Sequence, residues 1–298
     1  MRSSIRFVLF ALVVLSVPVQ ASSGPLVVTT FSILNDFARQ VVGEHGEARL
    51  LAPVGAEVHE YELRPRDFVS LEQADLVFYN GYDLEQWMHQ VRATVPDGVP
   101  VISLARESGF ETLPIVTGEY GGTPDPHLWM DPNAARAYVT VIEEALVEVA
   151  PEHADAYRDN AERYRNELTR LDEALREMLA PIDGDNRTLI TSEAAFLYFA
   201  NAYDFHHDGI WGTNSETEGT SEQMMRIIDL IKKRKPRGLF WESTISSRYV
   251  EGASRDTGTP YYGPLYVDSL GEEGSGATTY IDMLKSNANL LRETLADE

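Results

Sequence analysis

Glu152-His-Ala-Asp-Ala-Tyr157-Arg-Asp-Asn-Ala161-Glu-Arg-Tyr164-Arg-Asn-Glu-Leu168-Thr-Arg-Leu171-Asp-Glu-Ala-Leu175-Arg-Glu-Met178-Leu-Ala180 carries the most regular pattern in the chain. Tyr157, Ala161, Tyr164, Leu168, Leu171, Leu175 and Met178 recur at alternating spacings of four and three, which places them on one face of a helix. Pro151 opens the stretch and Pro181 closes it. At 1.5 Å per residue the predicted helix is roughly 43 Å long, enough to run the height of a domain. Only about three and a half heptads are present and the polar face is mixed in charge. The apolar stripe is therefore expected to pack within the chain and not in a homodimeric coiled coil.

Working outward, both flanks alternate strand-like and helix-like segments. Before the helix, Leu26 to Thr30, Ala48 to Ala52, Ala74 to Tyr79 and Val99 to Leu104 are short apolar runs. A helix over Ile33 to Val42 and other amphipathic stretches separate them, and residues 134–149 read as a further helix. After the turn at Asp183-Gly184-Asp185, Thr188 to Thr191 and Gly238 to Trp241 read as strands. Ala194 to Tyr203, Ser221 to Lys233 and Thr279 to Leu295 read as helices. This alternation predicts an α/β fold: two lobes with mainly parallel sheets, joined by one long rigid helix. The expected divisions are 22–150 for the first lobe, 151–181 for the linking helix and 182–298 for the second. Gly118 to Thr123 and residues 271–276 are expected to be surface loops.

Residues 1–21 read as a cleaved signal peptide: Arg2 and Arg6, an apolar run from Phe7 to Leu15, then Val19-Gln20-Ala21. That run falls short of the roughly 20 apolar residues needed to span a bilayer. The sequence has no cysteine, which excludes thiolate metal sites, disulfides and a lipid-modified cysteine. The expectation is a freely diffusing periplasmic protein, without membrane insertion and acting as a monomer. The formal net charge is −22, and loss of Arg2 and Arg6 makes it about −24. With no basic patch to neutralise phosphates, nucleic acid is not an expected partner. The carboxylates can raise the local concentration of cations, although solubility or salt adaptation accounts for most of them.

Four residues are candidate metal ligands: His59, His127, Glu193 and Asp268, spaced 68, 66 and 75 apart. Two imidazoles and two carboxylates suit a divalent transition metal on the harder side. His59 lies in the loop Pro53 to Pro65, and His127 in Asp125-Pro-His-Leu-Trp-Met-Asp-Pro132, stiffened by proline on both sides. Read singly, each has an ordinary alternative. A loop histidine is commonly just exposed, Glu193 suits the first turn of a helix, and Asp268 suits a helix N-cap. His45, His89 and His153 fall on polar stretches and are expected to be exposed. His206-His207 is at most a weak cation site. Glu242 and Arg248 are candidates for a structural ion pair beneath the site.

The segments around these residues resemble the periplasmic solute-binding proteins of ABC transporters for manganese, zinc and iron. The similarity runs from Val27-Val-Thr-Thr-Phe-Ser-Ile33 to the closing helix. It rests on the His59 loop, Ala74-Asp-Leu-Val-Phe-Tyr-Asn-Gly81, Asp125 to Pro132, Thr191-Ser-Glu-Ala-Ala-Phe-Leu-Tyr-Phe199 and Tyr266-Val-Asp-Ser269. The resemblance implies that His59, His127, Glu193 and Asp268 hold one metal between two lobes. It also implies delivery of that metal to an ABC-transporter permease.

Zinc-preferring members usually carry His at the position of Glu193, and a His-rich acidic loop ahead of the second ligand. Glu111 to Pro126 contains no histidine. With Ile210 to Thr220, this is similar to the manganese and iron branch, so Mn²⁺ or Fe²⁺ is favoured and Zn²⁺ remains open. One departure is Glu57-Val58 before His59, where the family commonly has Asp-Pro.

The leading expectation is thus metal capture and delivery for import, without enzymatic activity. A metal-dependent hydrolase is the alternative, but the sequence offers no HExxH, nucleophile elbow or Ser/His/Asp set. An adhesin or structural surface protein is a third reading, and it predicts no stoichiometric metal.

Overall fold

The computed structural model describes residues 24–213 and 218–297. The expected signal segment 1–21 lies outside these, as does the stretch from Asn214 to Thr217 within the Ile210 to Thr220 motif.

The first half is built around four parallel strands in the order β2-β1-β3-β4. They are β1 (Leu26–Thr29), β2 (Glu47–Leu50), β3 (Leu76–Tyr79) and β4 (Val101–Ser103). Val27 pairs with Leu76 and Val77 with Val101, so apolar side chains line both faces, as in a sheet covered by helices. Helices α1 (Ser32–Val42), α2 (Pro65–Glu72), α3 (Met88–Thr94) and α4 (Leu104–Glu107) fill the connections. Because the strands are parallel, the loops at their carboxyl ends gather on one side, where such sheets place ligand sites.

Helix α5 (Pro132–Val149) follows, with Asp131 as its N-cap accepting from Asn133 N at 2.8 Å and Pro132 at its first position. The long helix α6 (Ala154–Leu179) is preceded by a single 3₁₀ turn over Pro151–His153. Its 26 residues make it about 39 Å long, slightly less than expected. The buried stripe is the predicted one from Tyr157 to Leu175, but it ends on Leu179, with Met178 only half-buried. The stripe packs within the chain against α1 and α5, and against α10 (Tyr280–Leu295) from the far end of the sequence. Phe37, Tyr138, Tyr164 and Tyr280 meet here, with Phe37 4.8 Å from Tyr280 ring to ring. One continuous apolar core therefore joins the two halves through the helix.

The second half contains two parallel strand pairs, β5 (Thr188–Glu193) with β6 (His206–Trp211), and β7 (Leu239–Glu242) with β8 (Tyr261–Leu265). Strand β7 lies beside β5. Helices α7 (Leu197–Ala202), α8 (Ser221–Arg234) and α9 (Arg248–Thr257) complete it. A reciprocal cap starts α8: Thr220 Oγ1 accepts from Gln223 N, and Gln223 Oε1 accepts from Thr220 N. Strands β6 and β8 and helix α9 were not expected from the sequence. Among the described residues no helix is long and apolar enough to cross a membrane.

Candidate metal centre

The four candidate residues arrive on four separate elements. His59 sits in the loop between β2 and α2, and His127 begins the 3₁₀ turn Leu128–Met130 that leads into α5. Glu193 is the last residue of β5 and not part of a helix. Asp268 lies in the loop after β8, with no helix for it to cap. One ligating atom from each lies within 4.8 Å of all the others, and no side chain is more than 1% exposed. His59 Nε2 is 3.6 Å from Glu193 Oε1, His127 Nε2 is 3.7 Å from the same oxygen, and His127 Nε2 is 3.5 Å from Asp268 Oδ1. Four donors about 2.1 Å from a central ion stand about 3.4 Å apart at tetrahedral angles. The three separations of 3.5 to 3.7 Å lie close to that spacing. Among the described residues it is the one cluster of His, Asp and Glu with this closeness.

The His127 imidazole is fixed from behind. Asp125 Oδ1 accepts from both the backbone N–H and the ring Nδ1–H of His127, at 2.8 Å each, so Nε2 is turned toward the cluster. Asn80 supports the same segment, donating from Nδ2 to Pro126 O at 2.8 Å while its Oδ1 accepts from Tyr138. Glu85 anchors Asn80 in turn: its buried carboxyl accepts from Asn80 N, Gly81 N and Thr30 Oγ1. Burial raises the Glu85 pKa, and these donors partly offset the rise. This network accounts for the Ala74 to Gly81 motif, which contributes no ligand. Trp129 packs edge-on against the His127 ring and donates from Nε1 to Val267 O at 2.9 Å, joining the His127 and Asp268 loops.

The His59 loop is closed at both ends. Asp67 Oδ2 accepts from Tyr61 Oη and Arg64 N, and Trp87 Nε1 donates to Val58 O. The departure from the family pattern has its own compensation: Glu57 accepts from His59 N and Glu60 N, both at 3.1 Å. A carboxylate two residues before the ligand thus fixes the turn where proline is missing.

Glu193 is held by another carboxyl. Glu242, at the end of β7, accepts from Ser192 N at 3.2 Å and from Glu193 N at 3.0 Å. Burial pushes its pKa up to about 8, against the lowering effect of these donors. The expected ion pair with Arg248 is not formed. Arg248 is exposed and lies over the Tyr249 ring, whereas Glu242 is fully buried and committed to two amides of β5.

The charges of the centre are strongly linked. Burial lowers the His59 pKa to about 4, despite the attraction of Asp268, so this imidazole is neutral. Burial acts the same way on His127, but the Asp125 and Glu193 charges and its hydrogen bonds to Asp125 and Asp268 outweigh it and raise the pKa well above the usual value. Burial would raise Asp268, yet the hydrogen bond and charge of His127 hold it below the usual range. The metal-free cluster thus stores a proton on His127 among carboxylates.

The remaining histidines behave differently from one another. His206 and His207 are successive strand residues pointing to opposite faces, so they do not share a cation. His207 is a core residue: its Nε2 accepts from Phe196 N and its Nδ1 donates to Leu189 O. His45 and His153 are half-buried and stack with ring centroids 4.8 Å apart, whereas His89 is exposed. His89 is exposed as expected, and His45 and His153 are not. Asp125 and Glu85 are the supporting residues that sequence reasoning did not assign, and Glu242 was expected beneath the site but with a different partner. Only Asp125, two residues before His127, carried a local signal.

Known proteins match nearly the whole chain. The model of the ZnuA family, described as zinc-uptake complex component A, periplasmic, matches residues 27–294. The iron-binding protein YfeA of Yersinia pestis is 39% identical over 270 residues, covering 91% of this chain and 85% of its own length. The manganese-binding lipoprotein MntA of Halalkalibacterium halodurans is 38% identical over 266 residues, covering 89% and 87%. The solved periplasmic zinc-binding protein TroA from Treponema pallidum superposes with a TM-score of 0.85 at 26% identity, covering 92% of this chain and all of that one. With a match over residues 27–294 and relatives near 40% identity, the chain belongs to the ZnuA family of metal-binding ABC-transporter substrate-binding proteins.

Proposed function

We propose that this protein captures one divalent transition metal in the periplasm and delivers it to an ABC-transporter permease for import. His59, His127, Glu193 and Asp268 are the ligands. The observation that carries the reading is the convergence of four buried donors from four elements within 4.8 Å. Buried carboxylates and imidazoles that converge on one point suit a cation as cargo. The permease follows from the family, whose members include proteins named as ABC-transporter substrate-binding lipoproteins. Residues 22–150 and 182–298 act as the two lobes and 151–181 as the helix that joins them. The protein works as a monomer diffusing in the periplasm. Several relatives are named lipoproteins, whereas this sequence has no cysteine.

Mn²⁺ or Fe²⁺ is the favoured cargo. Two hard carboxylate donors, one of them Glu193 where zinc-preferring members usually have His, support this choice. The intrinsic order of affinities still places Zn²⁺ above both at a nitrogen and oxygen site, so zinc binding in vitro is compatible with a manganese or iron role. Elemental analysis of protein purified from its native compartment tests the proposal. About one Mn or Fe per chain is expected. Metal-free protein that also fails to bind added Mn²⁺, Fe²⁺ or Zn²⁺ would overturn it.

A further inference from the structure

Beside the candidate ligands a small hydroxyl network ties three segments together. Ser269, next to Asp268, accepts from Gly55 N at 2.7 Å, and Gly55 belongs to the loop that carries His59. Ser269 Oγ also lies 3.3 Å from Ser32 Oγ, at the start of α1, and 2.9 Å from Leu270 O. Ser32 Oγ in turn accepts from Leu270 N at 2.9 Å. Ser32 and Ser269 are both buried, so water does not replace these bonds while the segments stay together. The sequence separations are large, 214 residues for Gly55 to Ser269 and 237 for Ser32 to Ser269.

We propose that Ser269 is a positioning residue that sets how long the metal stays bound, by clasping the Asp268 loop to the His59 loop and to α1. This inference rests on the ligand reading above. His59 and Asp268 come from opposite halves of the chain, and the ion leaves only when ligands part. On the Asp268 side the segment is held twice. Val267 O is tied to Trp129, and Ser269 and Leu270 are tied to Gly55 and Ser32. Moving Asp268 away from His59 breaks the Gly55–Ser269 bond directly, because each partner lies within four residues of its ligand. The clasp contributes to the barrier for release and touches no metal itself. A hydroxyl serves better than a longer side chain, since its one oxygen accepts from the Gly55 amide and from the Ser32 hydroxyl while its proton is donated to Leu270 O.

The test is the rate of Mn²⁺ release from loaded Ser269→Ala protein, trapped with excess chelator in a stopped-flow instrument. One Mn²⁺ per chain and release faster by about tenfold are expected, as for loss of one or two buried hydrogen bonds. Ser32→Ala should accelerate release in the same direction. The double variant should gain less than the product of the two, because the residues share one network. The melting temperature of the metal-free variants supplies the control, since a merely structural serine lowers it without changing release. Release within twofold of wild type in the folded variants overturns the clasp, and where Ser269→Ala does not fold, Ser32→Ala decides. Wild-type protein that binds no Mn²⁺ overturns the ligand reading itself, a separate outcome.

Discussion

Asp125 accepts two hydrogen bonds from His127, one from its backbone and one from its ring, each 2.8 Å long and both buried. A carboxylate can only accept, so this contact places the ring proton on Nδ1 and leaves Nε2 for a metal. It also adds negative charge behind the imidazole. Partners of this kind typically change metal affinity 10- to 100-fold when removed. Asp125→Asn, which keeps an acceptor but loses the charge, should weaken Mn²⁺ binding by about tenfold, and Asp125→Ala by more. Competition with a calibrated chelator measures both. Unchanged affinity in the alanine variant would remove Asp125 from this role.

The proton held on His127 gives a second prediction. Carboxylates raise its pKa well above the usual value, so His127 is protonated in the metal-free protein near neutral pH. A metal must expel that proton to reach Nε2. His59, lowered to about 4 by burial, has none to lose in this range. Because protons compete with the metal, affinity should fall as pH falls, and each binding event near pH 7 should release about one proton. Calorimetric titrations in buffers of different ionisation enthalpy read this number directly. A binding enthalpy independent of the buffer would show that His127 is already neutral.

Glu242 and Arg248 should differ sharply in their effects. Glu242→Ala leaves Ser192 N and Glu193 N buried without their acceptor, at about 1–3 kcal/mol for each group. Metal affinity should drop with stability, because the end of β5 presents Glu193. Arg248→Ala, outside this network, should stay within about 0.5 kcal/mol of wild type. Urea unfolding of both variants measures the difference. Equal losses would restore the ion pair that the sequence suggested.

These cases mark what the sequence made legible. Local pattern was enough for the long helix, since Tyr157, Ala161, Tyr164, Leu168, Leu171 and Leu175 repeat on one face and all are buried. It was also enough for β1 and β3, whose apolar runs are continuous, and for β5, where Leu189 and Ile190 lie between β-branched threonines. Strand β6 escaped because His206-His207-Asp208-Gly209 looks polar. Its His207 is buried only because Phe196 N and Leu189 O satisfy both ring nitrogens. Helix α9 contains Gly252 and mostly polar residues, and β8 contains Gly263-Pro264, so neither announces itself by propensity. The four candidate ligands were legible through their motifs. The contacts of their supports were not: Glu242 was expected beneath the site, but the amide it holds lies 49 residues away, and Ser269 lies 214 from Gly55. Contacts of that kind are properties of the fold and leave no periodic trace.

Binding linkage predicts the effect of losing a ligand. At a metal concentration of 1,000 Kd a bound ion adds about 4 kcal/mol to stability. For a chain of this size that raises the melting temperature by roughly 10 °C. Glu193→Ala and Asp268→Ala should each lose most of the rise given by Mn²⁺, while retaining the melting temperature of the metal-free fold to within a few degrees. Differential scanning calorimetry with and without metal, and after chelation, gives these values. Variants that keep the full shift would show that the ion binds elsewhere.

The central claim is that these four side chains hold one ion, and anomalous diffraction from crystals of the Mn²⁺-loaded protein tests it most directly. The account predicts one strong manganese peak per chain, in contact with Nε2 of His59, Nε2 of His127 and the carboxylates of Glu193 and Asp268. A peak at any other place, or a loaded crystal whose four side chains surround no metal, would contradict it.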